Sequence, residues 1–559
     1  MKKILLFTAL AASCNLALAQ TPGFAWAKQT IGTNSATVSD GAGIAVDTVN
    51  NFVYVTGRFS GSTINFGSGD QPGGTGNTNV YLAKFTLSGS CVWAKTFAAG
   101  WDNYGTGVGV DHNGNVYLTG YSESDTVTFG TGYIYNSNHG STDHTVGFVT
   151  KFDANGNNIW LKGSTGGGGV ICNAIAVDAN GNSYTTGHVF NSASTMVGNT
   201  TNEGFFALKL DTNGNSVWFD QTTGAGAPLQ SEGVAIAIDR AGNIVAAGAH
   251  VEAITFGTYS IPYASGNGTT DRFAVKMDGT TGAYIWAIAA GVWEGPDFNH
   301  CVTVDGANNI FLSGTLSIDD EGPGSSAYTA GPFVEKLNSS GVSQWIISVP
   351  GNFANGYPMI TADNSGNCYL ALSISDTATF GAYTIEPNLM YGANTSEVNV
   401  IAKLNPSGIY QYVKASVIPS GGFALTTPQA VARDQDNNIY FQGYLEGQNN
   451  FDMTNLDGGS DLKFYIAKLG STVSGINEIG QLNTMYGVYP NPANDLIYID
   501  KLTGKTTMQI VDISGKEVIA AQLTNSTESI DVSSLQNGIY FIELTTTTSH
   551  VTQKLIIAK

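Results

Sequence analysis

The chain has 559 residues, of which only 12% are charged, and its 43 acidic against 23 basic side chains give a formal net charge of −20. A negative field of this size argues against nucleic acid and against anionic membrane surfaces as partners. With so few charges, solubility depends on Asn, Thr, Ser and Gly, a composition typical of extracellular β-rich proteins.

The first segment, residues 1–20, has the pattern of a secretory signal peptide. A basic head precedes an apolar stretch, and small residues stand at Ala17 and Ala19, where cleavage is expected. A lipoprotein signal at Cys14 is the alternative, but Ala11 stands where such signals usually have Leu. No later segment is long and apolar enough to predict a membrane-spanning helix. We therefore predict an exported protein without a transmembrane segment.

A repeat occupies most of the chain: an apolar strand ends in Asp, a tight polar turn follows, and a second strand ends near Gly. Self-similarity at a roughly constant period indicates repeated supersecondary units. From Asp47 to Asp434 there are six intervals, with a mean of about 64 residues. The seven repeat aspartates are Asp47, Asp111, Asp178, Asp239, Asp305, Asp363 and Asp434.

Each repeat contains a second hairpin, whose strands carry Lys and Trp on either side of a turn rich in Asp, Asn and Gly. Such turns between β-branched and aromatic runs are typical of hairpins. The pairs are Lys84–Trp93, Lys151–Trp160, Lys209–Trp218, Lys276–Trp286, Lys336–Trp345 and, with Tyr in place of Trp, Lys403–Tyr412. Each unit thus supplies four strands, and seven such units predict an all-β fold, a seven-bladed β-propeller.

The two ends of the array favour a closed ring over an open stack. The last copy stops after the Lys468 strand, whereas the first copy is preceded by an extra strand that carries Trp26. A closed ring leaves only short protected strand edges. In such a ring the Lys468 strand and the Trp26 strand would pair within one shared blade. We therefore predict that the N-terminal strand completes the seventh blade and closes a propeller spanning residues 21–470.

Three features of the repeat are distinctive: the D-x-x-G-N-x-Y-x-T-G core, the A-K-[FL] hairpin with its Trp, and Phe-Gly pairs between them. These pairs are Phe66-Gly67, Phe129-Gly130, Phe256-Gly257 and Phe380-Gly381. Over residues 22–470 the features resemble the SBBP family of β-propeller repeats. The resemblance implies the fold but no single activity. The sixth repeat departs most from the pattern, with Tyr412 for Trp and Leu372 for Gly.

After Gly470 the composition changes. A linker, residues 471–484, leads into a β-patterned segment, residues 485–559, in which Asn-Pro, Ser-Gly and Asn-Gly turns separate runs of alternating polarity. This pattern predicts a small β-sandwich of about seven strands. A generic Ig-like module would have the same patterning.

The turn motifs of this segment are more specific than its patterning. They are Tyr489-Pro490-Asn491-Pro492, Asp512-Ile513-Ser514-Gly515-Lys516, Leu535-Gln536-Asn537-Gly538-Ile539-Tyr540 and the final Lys554-Leu555-Ile556. In order and position they resemble the C-terminal sorting domain of type IX secretion cargo. The resemblance implies a Gram-negative bacterium, contact with the secretion machinery through residues 485–559, removal of this domain, and anchoring at the outer surface or release. The sorting signal would include Pro490, Asn491, Pro492, Gly515, Lys516 and Gly538.

Residues that recur in every blade serve the blade, so function is expected where the repeats differ. The repeat Asp and Lys are predicted to be scaffold, as turn caps and ion pairs. Turns such as that at Asp111 resemble calcium loops only superficially, because they lack the spaced acids and terminal Glu of a strong site. The histidines have no zinc-binding spacing, and no nucleophile motif or phosphate loop stands out. We predict no metal, no cofactor and no catalytic residue.

Two tryptophans, Trp101 and Trp293, fall outside the repeat, each in the connection that follows a Trp strand. Chain direction places these connections on one face of the propeller, opposite the short Asp turns. One interpretation is a site there that stacks on and hydrogen-bonds to a sugar or peptide. Its candidate residues are Trp101, Asp102, Tyr104, Trp293, Glu294, Asp297 and His300. The alternative is that the aromatic side chains only plug the wide end of the ring.

The main hypothesis is a secreted or cell-surface, monomeric scaffold that binds an extracellular glycan or protein without catalysis. The alternative is a hydrolase or lyase acting on extracellular polysaccharide or peptide, with Asp102, Glu294 and Asp297 as catalysts on the loop face. A purely structural role in the cell coat also stays open.

Overall fold

The computed structural model describes residues 22–31, 41–74, 78–97, 100–130, 132–136, 145–190, 194–222, 231–263, 270–290, 298–316, 331–350, 357–387, 396–419, 422–470, 487–500, 505–512, 516–524, 526–545 and 550–559. The chain divides into two compact units, Met1–Thr472 and Val473–Lys559. The regular elements of the described residues are all strands, which confirms the all-β prediction. These residues contain no helix that could span a membrane.

The described part of the first unit contains 39 strands. In chain order they are β1 Phe24–Gln29, β2 Gly41–Asp47, β3 Phe52–Phe59, β4 Thr63–Asn65, β5 Asp70–Pro72, β6 Asn79–Thr86, β7 Cys91–Phe97, β8 Asn103–Val110, β9 Val116–Ser122, β10 Thr126–Phe129, β11 Gly132–Tyr135, β12 Val146–Phe152, β13 Asn158–Gly166, β14 Gly169–Val177, β15 Ser183–Phe190, β16 Ser194–Met196, β17 Asn199–Thr200, β18 Gly204–Leu210, β19 Ser216–Gln221, β20 Ser231–Ile238, β21 Ile244–His250, β22 Ile254–Phe256, β23 Tyr259–Ile261, β24 Asp271–Met277, β25 Tyr284–Ala289, β26 Phe298–Val304, β27 Ile310–Leu316, β28 Gly331–Leu337, β29 Ser343–Ser348, β30 Met359–Ala362, β31 Cys368–Ile374, β32 Ala378–Phe380, β33 Tyr383–Ile385, β34 Val398–Leu404, β35 Tyr410–Ala415, β36 Ala424–Arg433, β37 Ile439–Phe451, β38 Thr454–Asp457 and β39 Lys463–Leu469.

Within the described ranges of this unit, seven antiparallel sheets are built on four long strands each, and small hairpins occupy several of the connections. Numbered along the chain, sheets 1 to 7 have the strand orders β2-β3-β6-β7, β8-β9-β12-β13, β14-β15-β18-β19, β20-β21-β24-β25, β26-β27-β28-β29, β30-β31-β34-β35 and β36-β37-β39-β1. Sheet 7 therefore combines three strands from the end of the unit with the first strand of the unit.

The turn between the first two strands of each sheet is organised by the repeat Asp. In sheet 2 the Asp111 Oδ1 accepts hydrogen bonds from the amides of Asn113 and Asn115, both at 2.9 Å. Gly114 has a φ of 78°, a value that Gly adopts without steric cost. The repeat Lys lies close by in the sheet, as in sheet 4, where Lys276 Nζ is 2.8 Å from Asp239 Oδ2. These contacts agree with the scaffold role predicted for both repeat residues.

The core of the unit lies between the sheets. One apolar cluster, for example, joins Tyr54 and Leu82 of sheet 1 to Leu118 and Phe148 of sheet 2. Burying one face of each sheet against its neighbour is the main stabilising contribution expected for such layers.

The first strands of neighbouring sheets approach each other most closely. They contact in the order β2, β8, β14, β20, β26, β30 and β36, and β36 also contacts β2. Small residues permit this approach, because a Cβ added at Gly43 would lie only 2.6 Å from the backbone nitrogen of Val108 in the next sheet. This convergence explains why Gly and Ala are frequent in several of these first strands, such as β2 and β8.

Strand β1 pairs with β39 in antiparallel register, with Trp26 opposite Lys468 and Ala27 opposite Ala467. Its first amide, that of Phe24, donates to Asp452 Oδ2 at 2.7 Å. The two ends of the unit are thus joined by backbone hydrogen bonds.

The second unit forms two sheets around one apolar cluster. Its described strands are β40 Gly487–Tyr489, β41 Leu496–Asp500, β42 Thr506–Asp512, β43 Glu517–Leu523, β44 Thr527–Asp531, β45 Gly538–Thr545 and β46 His550–Ile557. The sheets have the orders β40-β41-β44 and β43-β42-β45-β46, and the cluster between them includes Ile497, Met508 and Ile542. This is the arrangement of a small β-sandwich.

Candidate functional site

A cavity of about 490 Å³ lies among the first strands of the seven sheets. Each of β2, β8, β14, β20, β26, β30 and β36 contributes to its lining. Its more polar or aromatic residues are Arg58, Tyr104, Tyr121, Asn173, Glu232, His300 and Gln429.

Most of these polar side chains lie near one end of the cavity. Tyr104 and Glu232 are the second residues of β8 and β20, whereas Arg58 and Tyr121 stand near the ends of β3 and β9. In an antiparallel pair the start of one strand adjoins the end of the next. The strand order therefore gathers these groups on the side of the longer connections, away from the Asp turns.

One wall of the cavity is a three-layer stack. The Arg58 guanidinium carbon lies 4.2 Å from the ring centroid of Tyr104, and the Tyr104 ring is stacked on Tyr121 with centroids 4.2 Å apart. Burial raises the pKa of Tyr104, and the Arg58 charge opposes that rise. Burial and the Asp102 charge raise the pKa of Glu123, again opposed by Arg58. The stack is a rigid, polar-edged surface suited to a flat or cyclic ligand.

A second wall carries Glu232, and His188 lies beside it. Their closest atoms, Glu232 Oε2 and His188 Nδ1, are 3.7 Å apart, and the Glu232 side chain is 38% exposed. Burial lowers the pKa of His188 to about 4 and raises the pKa of Glu232. Burial thus disfavours the charged form of both side chains.

A third region is formed by His300 and Tyr357. Their ring centroids are 4.2 Å apart, and His300 lines the cavity. Burial, with a smaller contribution from the Arg272 charge, lowers the pKa of His300 to about 4.

The structure brings two of the predicted ligand residues, Tyr104 and His300, to the same cavity. Trp101 is 56% exposed and does not line the cavity. Its backbone amide donates to Ser124 Oγ. Asp102 lies behind the wall and accepts a hydrogen bond from Thr78 Oγ1 at 3.0 Å. The remaining predicted residues lie outside the described residues; they are Trp293, Glu294 and Asp297.

Sequence reasoning missed Arg58, Tyr121, His188 and Glu232. Three of these, Arg58, Tyr121 and His188, immediately follow the Gly that ends the second strand of the repeat. That position varies between blades, so the rule that function lies where repeats differ could have found them. Within the described residues, no group of three or more His, Cys, Asp or Glu side chains could hold a metal ion.

In the second unit the predicted sorting residues lie in turns and at strand ends. Asn491 Nδ2 donates to the Lys554 carbonyl, and its Oδ1 accepts from the Ile556 amide, at 2.7 and 2.9 Å. The Lys516 amide donates to Asp512 Oδ1, and Gly538 begins β45. Pro490 and Pro492 flank Asn491 in the turn after β40, and Gly515 lies outside the described residues.

Two family models match parts of the chain. Residues 25–58 and 92–125 match a β-propeller repeat, SBBP, and residues 487–558 match a secretion system C-terminal sorting domain. Both resemblances drawn from the sequence are thereby confirmed. The chain thus contains β-propeller repeats and a type IX sorting domain, and this domain marks it as secreted or exported to the cell surface by that route.

Other similarities are distant. Over 198 residues the chain is 26% identical to an uncharacterized WD repeat-containing protein of Acanthamoeba polyphaga mimivirus, covering 30% of this chain and 14% of that protein. Kuenenia stuttgartiensis hydrazine synthase has a TM-score of 0.40 and 11% identity, covering 77% of this chain and 98% of that one. PorZ, a surface component of the type IX secretion system of Porphyromonas gingivalis, has a TM-score of 0.29 and 12% identity. The match covers 91% of this chain and 68% of PorZ. Similarity this weak carries no argument about function.

Proposed function

We propose that the first unit is a closed ring of seven blades that binds an extracellular ligand in its central cavity without catalysis. One observation carries the proposal: the first strands of the seven described sheets line a single cavity. A volume of about 490 Å³ falls within the range of ordinary small-ligand sites.

Two sets of contacts support ring closure. Strand β36 of sheet 7 contacts β2 of sheet 1, and β1 hydrogen-bonds to β39. Radial closure of this kind protects strand edges that an open array would expose.

The chemistry of the lining supports a sugar or a short peptide segment as the ligand. The Tyr104–Tyr121 stack offers aromatic surface, and the amides of Asn173 and Gln429 can both donate and accept hydrogen bonds. The site is in a protein exported to the cell surface or beyond, so the ligand is expected outside the cell. We further propose that the protein acts as a monomer.

The hydrolase or lyase alternative requires a pair of suitably spaced carboxyl groups at the reacting bond. Among the described residues that line the cavity, Glu232 is the one carboxylate. Asp102 is not among the lining residues and accepts a hydrogen bond from Thr78, which supports binding over hydrolysis.

The test is to probe glycan and peptide arrays with the mature full-length protein and to repeat the assay with Tyr121→Ala. We expect a specific ligand, bound at least tenfold more weakly by the variant, because half of the aromatic stack is removed. Tyr133→Ala is the matched control, since Tyr133 is 72% exposed and lies away from the cavity. An array without any ligand, or equal losses in the two variants, would contradict the proposal.

A further inference from the structure

One carboxylate of the cavity lacks a cationic partner. Glu232 lines the cavity, and its one partner within ion-pair distance among the described residues is His188 Nδ1, at 3.7 Å. Burial lowers the pKa of His188 to about 4, so this imidazole is neutral at the pH of most extracellular environments. His188 therefore supplies no positive charge to Glu232 at such pH values.

The remaining cations of the unit do not supply the missing charge. Arg58 is held against Tyr104, and its charge acts on Tyr104 and Glu123. Between residues 22 and 470, the segments outside the described residues contain no Lys or Arg in their sequence. No basic side chain from those connections can pair with Glu232.

The neighbouring imidazole does not hydrogen-bond to Glu232, because their closest atoms are 3.7 Å apart. An alkylammonium group carries a positive charge and three N–H donors. A partly desolvated Glu232 side chain with no cation beside it among the described residues thus matches an ammonium group in both charge and hydrogen bonding.

We propose that Glu232 forms a subsite for a primary ammonium group of the ligand. The inference rests on the proposed function, because it specifies the chemistry that one wall of the same cavity recognises. Such a group occurs on lysine side chains and on non-acetylated amino sugars, which share this chemistry.

Fluorescence anisotropy of dansylcadaverine, a dye with a primary alkylammonium arm, tests the subsite on the mature full-length protein. The wild type should bind this probe at least tenfold more tightly than its neutral N-acetyl derivative. Glu232→Gln should abolish that preference because it removes the charge while keeping the shape. Glu232→Asp should retain part of it, and Glu446→Gln, outside the cavity lining, should leave it unchanged. Competition with two compounds then separates the two sources of the ammonium group. Nα-acetyl-lysine amide represents a lysine side chain, and glucosamine represents a non-acetylated amino sugar.

The inference is overturned if the amine and its acetylated form bind alike, if neither binds, or if Glu232→Gln retains the preference. The cavity proposal would survive each of these results if an array ligand still depended on Tyr121. The two failures are therefore distinguishable.

Discussion

Each repeat tryptophan ties its sheet to the next one. The indole Nε1 of Trp160 donates to the Thr212 carbonyl at 3.1 Å, and Lys151 Nζ donates to the same oxygen at 3.2 Å. The acceptor lies in the turn between the third and fourth strands of the following sheet. The other tryptophan–acceptor pairs of this kind among the described residues are Trp26–Leu87, Trp93–Ala154, Trp218–Gly279, Trp286–Ser339 and Trp345–Pro406.

The sixth repeat has Tyr412 instead of Trp, and the structure gives a physical reason. The next sheet is sheet 7, whose third and fourth strands, β39 and β1, come from opposite ends of the unit. These strands share no turn, so there is no corresponding carbonyl for an indole to reach. The departure of the sixth repeat from the pattern thus lies next to the sheet in which the two ends of the first unit pair.

Removing one of these bonds should destabilise the unit by about 0.5–1.5 kcal/mol, the net contribution of a typical hydrogen bond. We expect Trp286→Phe to lower the thermal unfolding midpoint measured by circular dichroism. Tyr412→Trp should not raise it, because it faces no acceptor. Trp101→Phe, at an exposed position outside the repeat, is the control and should change stability by less than about 0.5 kcal/mol. Equal losses at Trp286 and Trp101 would refute the role of the bond.

Glu397 provides a test of pH dependence at the same scale. Burial raises its pKa from 4.5 to about 7, and Thr427 Oγ1 donates to its Oε2 at 3.2 Å. At a pH between these two pKa values, the folded protein holds a proton on Glu397 that the unfolded chain has released. The free energy of unfolding therefore falls as the pH rises toward 7. Glu397→Gln is neutral throughout and escapes this loss.

The variant should match the wild type near pH 4.5 and become more stable above pH 7, by at most about 3 kcal/mol. Thermal unfolding of both proteins across this range measures the difference. A difference that is constant with pH would show that the carboxyl group titrates normally.

At the scale of elements, β1 is the strand on which the proposed ring closure depends. Its pairing with β39 is reinforced by the Phe24–Asp452 hydrogen bond and by an ion pair between Lys414 and the same carboxylate. The strand thus joins residues that are more than 400 positions apart in the chain.

A cysteine pair tests this pairing directly. Ala27 and Ala467 are directly opposite in the register, so Ala27→Cys with Ala467→Cys should form a disulfide on mild oxidation. Ala402 occupies the equivalent position in sheet 6, and Ala27→Cys with Ala402→Cys is the matched control that should not cross-link. Mass spectrometry of the digested protein identifies the linked peptides. Cross-linking of the control, or of neither pair, would contradict closure by β1.

At the scale of the whole molecule, the two units have separate tasks. The first carries the cavity, and the second carries the sorting domain matched over residues 487–558. Deleting Val473–Lys559 should leave the first unit folded but retained in the periplasm, because the type IX machinery no longer recognises it. Protease accessibility on intact cells measures surface exposure. Normal surface exposure of the truncated protein would show that sorting depends on another segment.

The amino-acid sequence by itself determined the repeat, its four strands and the sorting domain. This was possible because turn chemistry and alternating polarity are local properties that each blade displays alone. It also singled out Tyr104 and His300, which stand at positions where the repeats differ.

Only the tertiary structure decided which side chains share the cavity. Arg58, Tyr121 and Glu232 line it from different sheets, and their proximity depends on how the first strands of those sheets converge. Convergence is a long-range property of packing between sheets, and no local pattern in the chain encodes it.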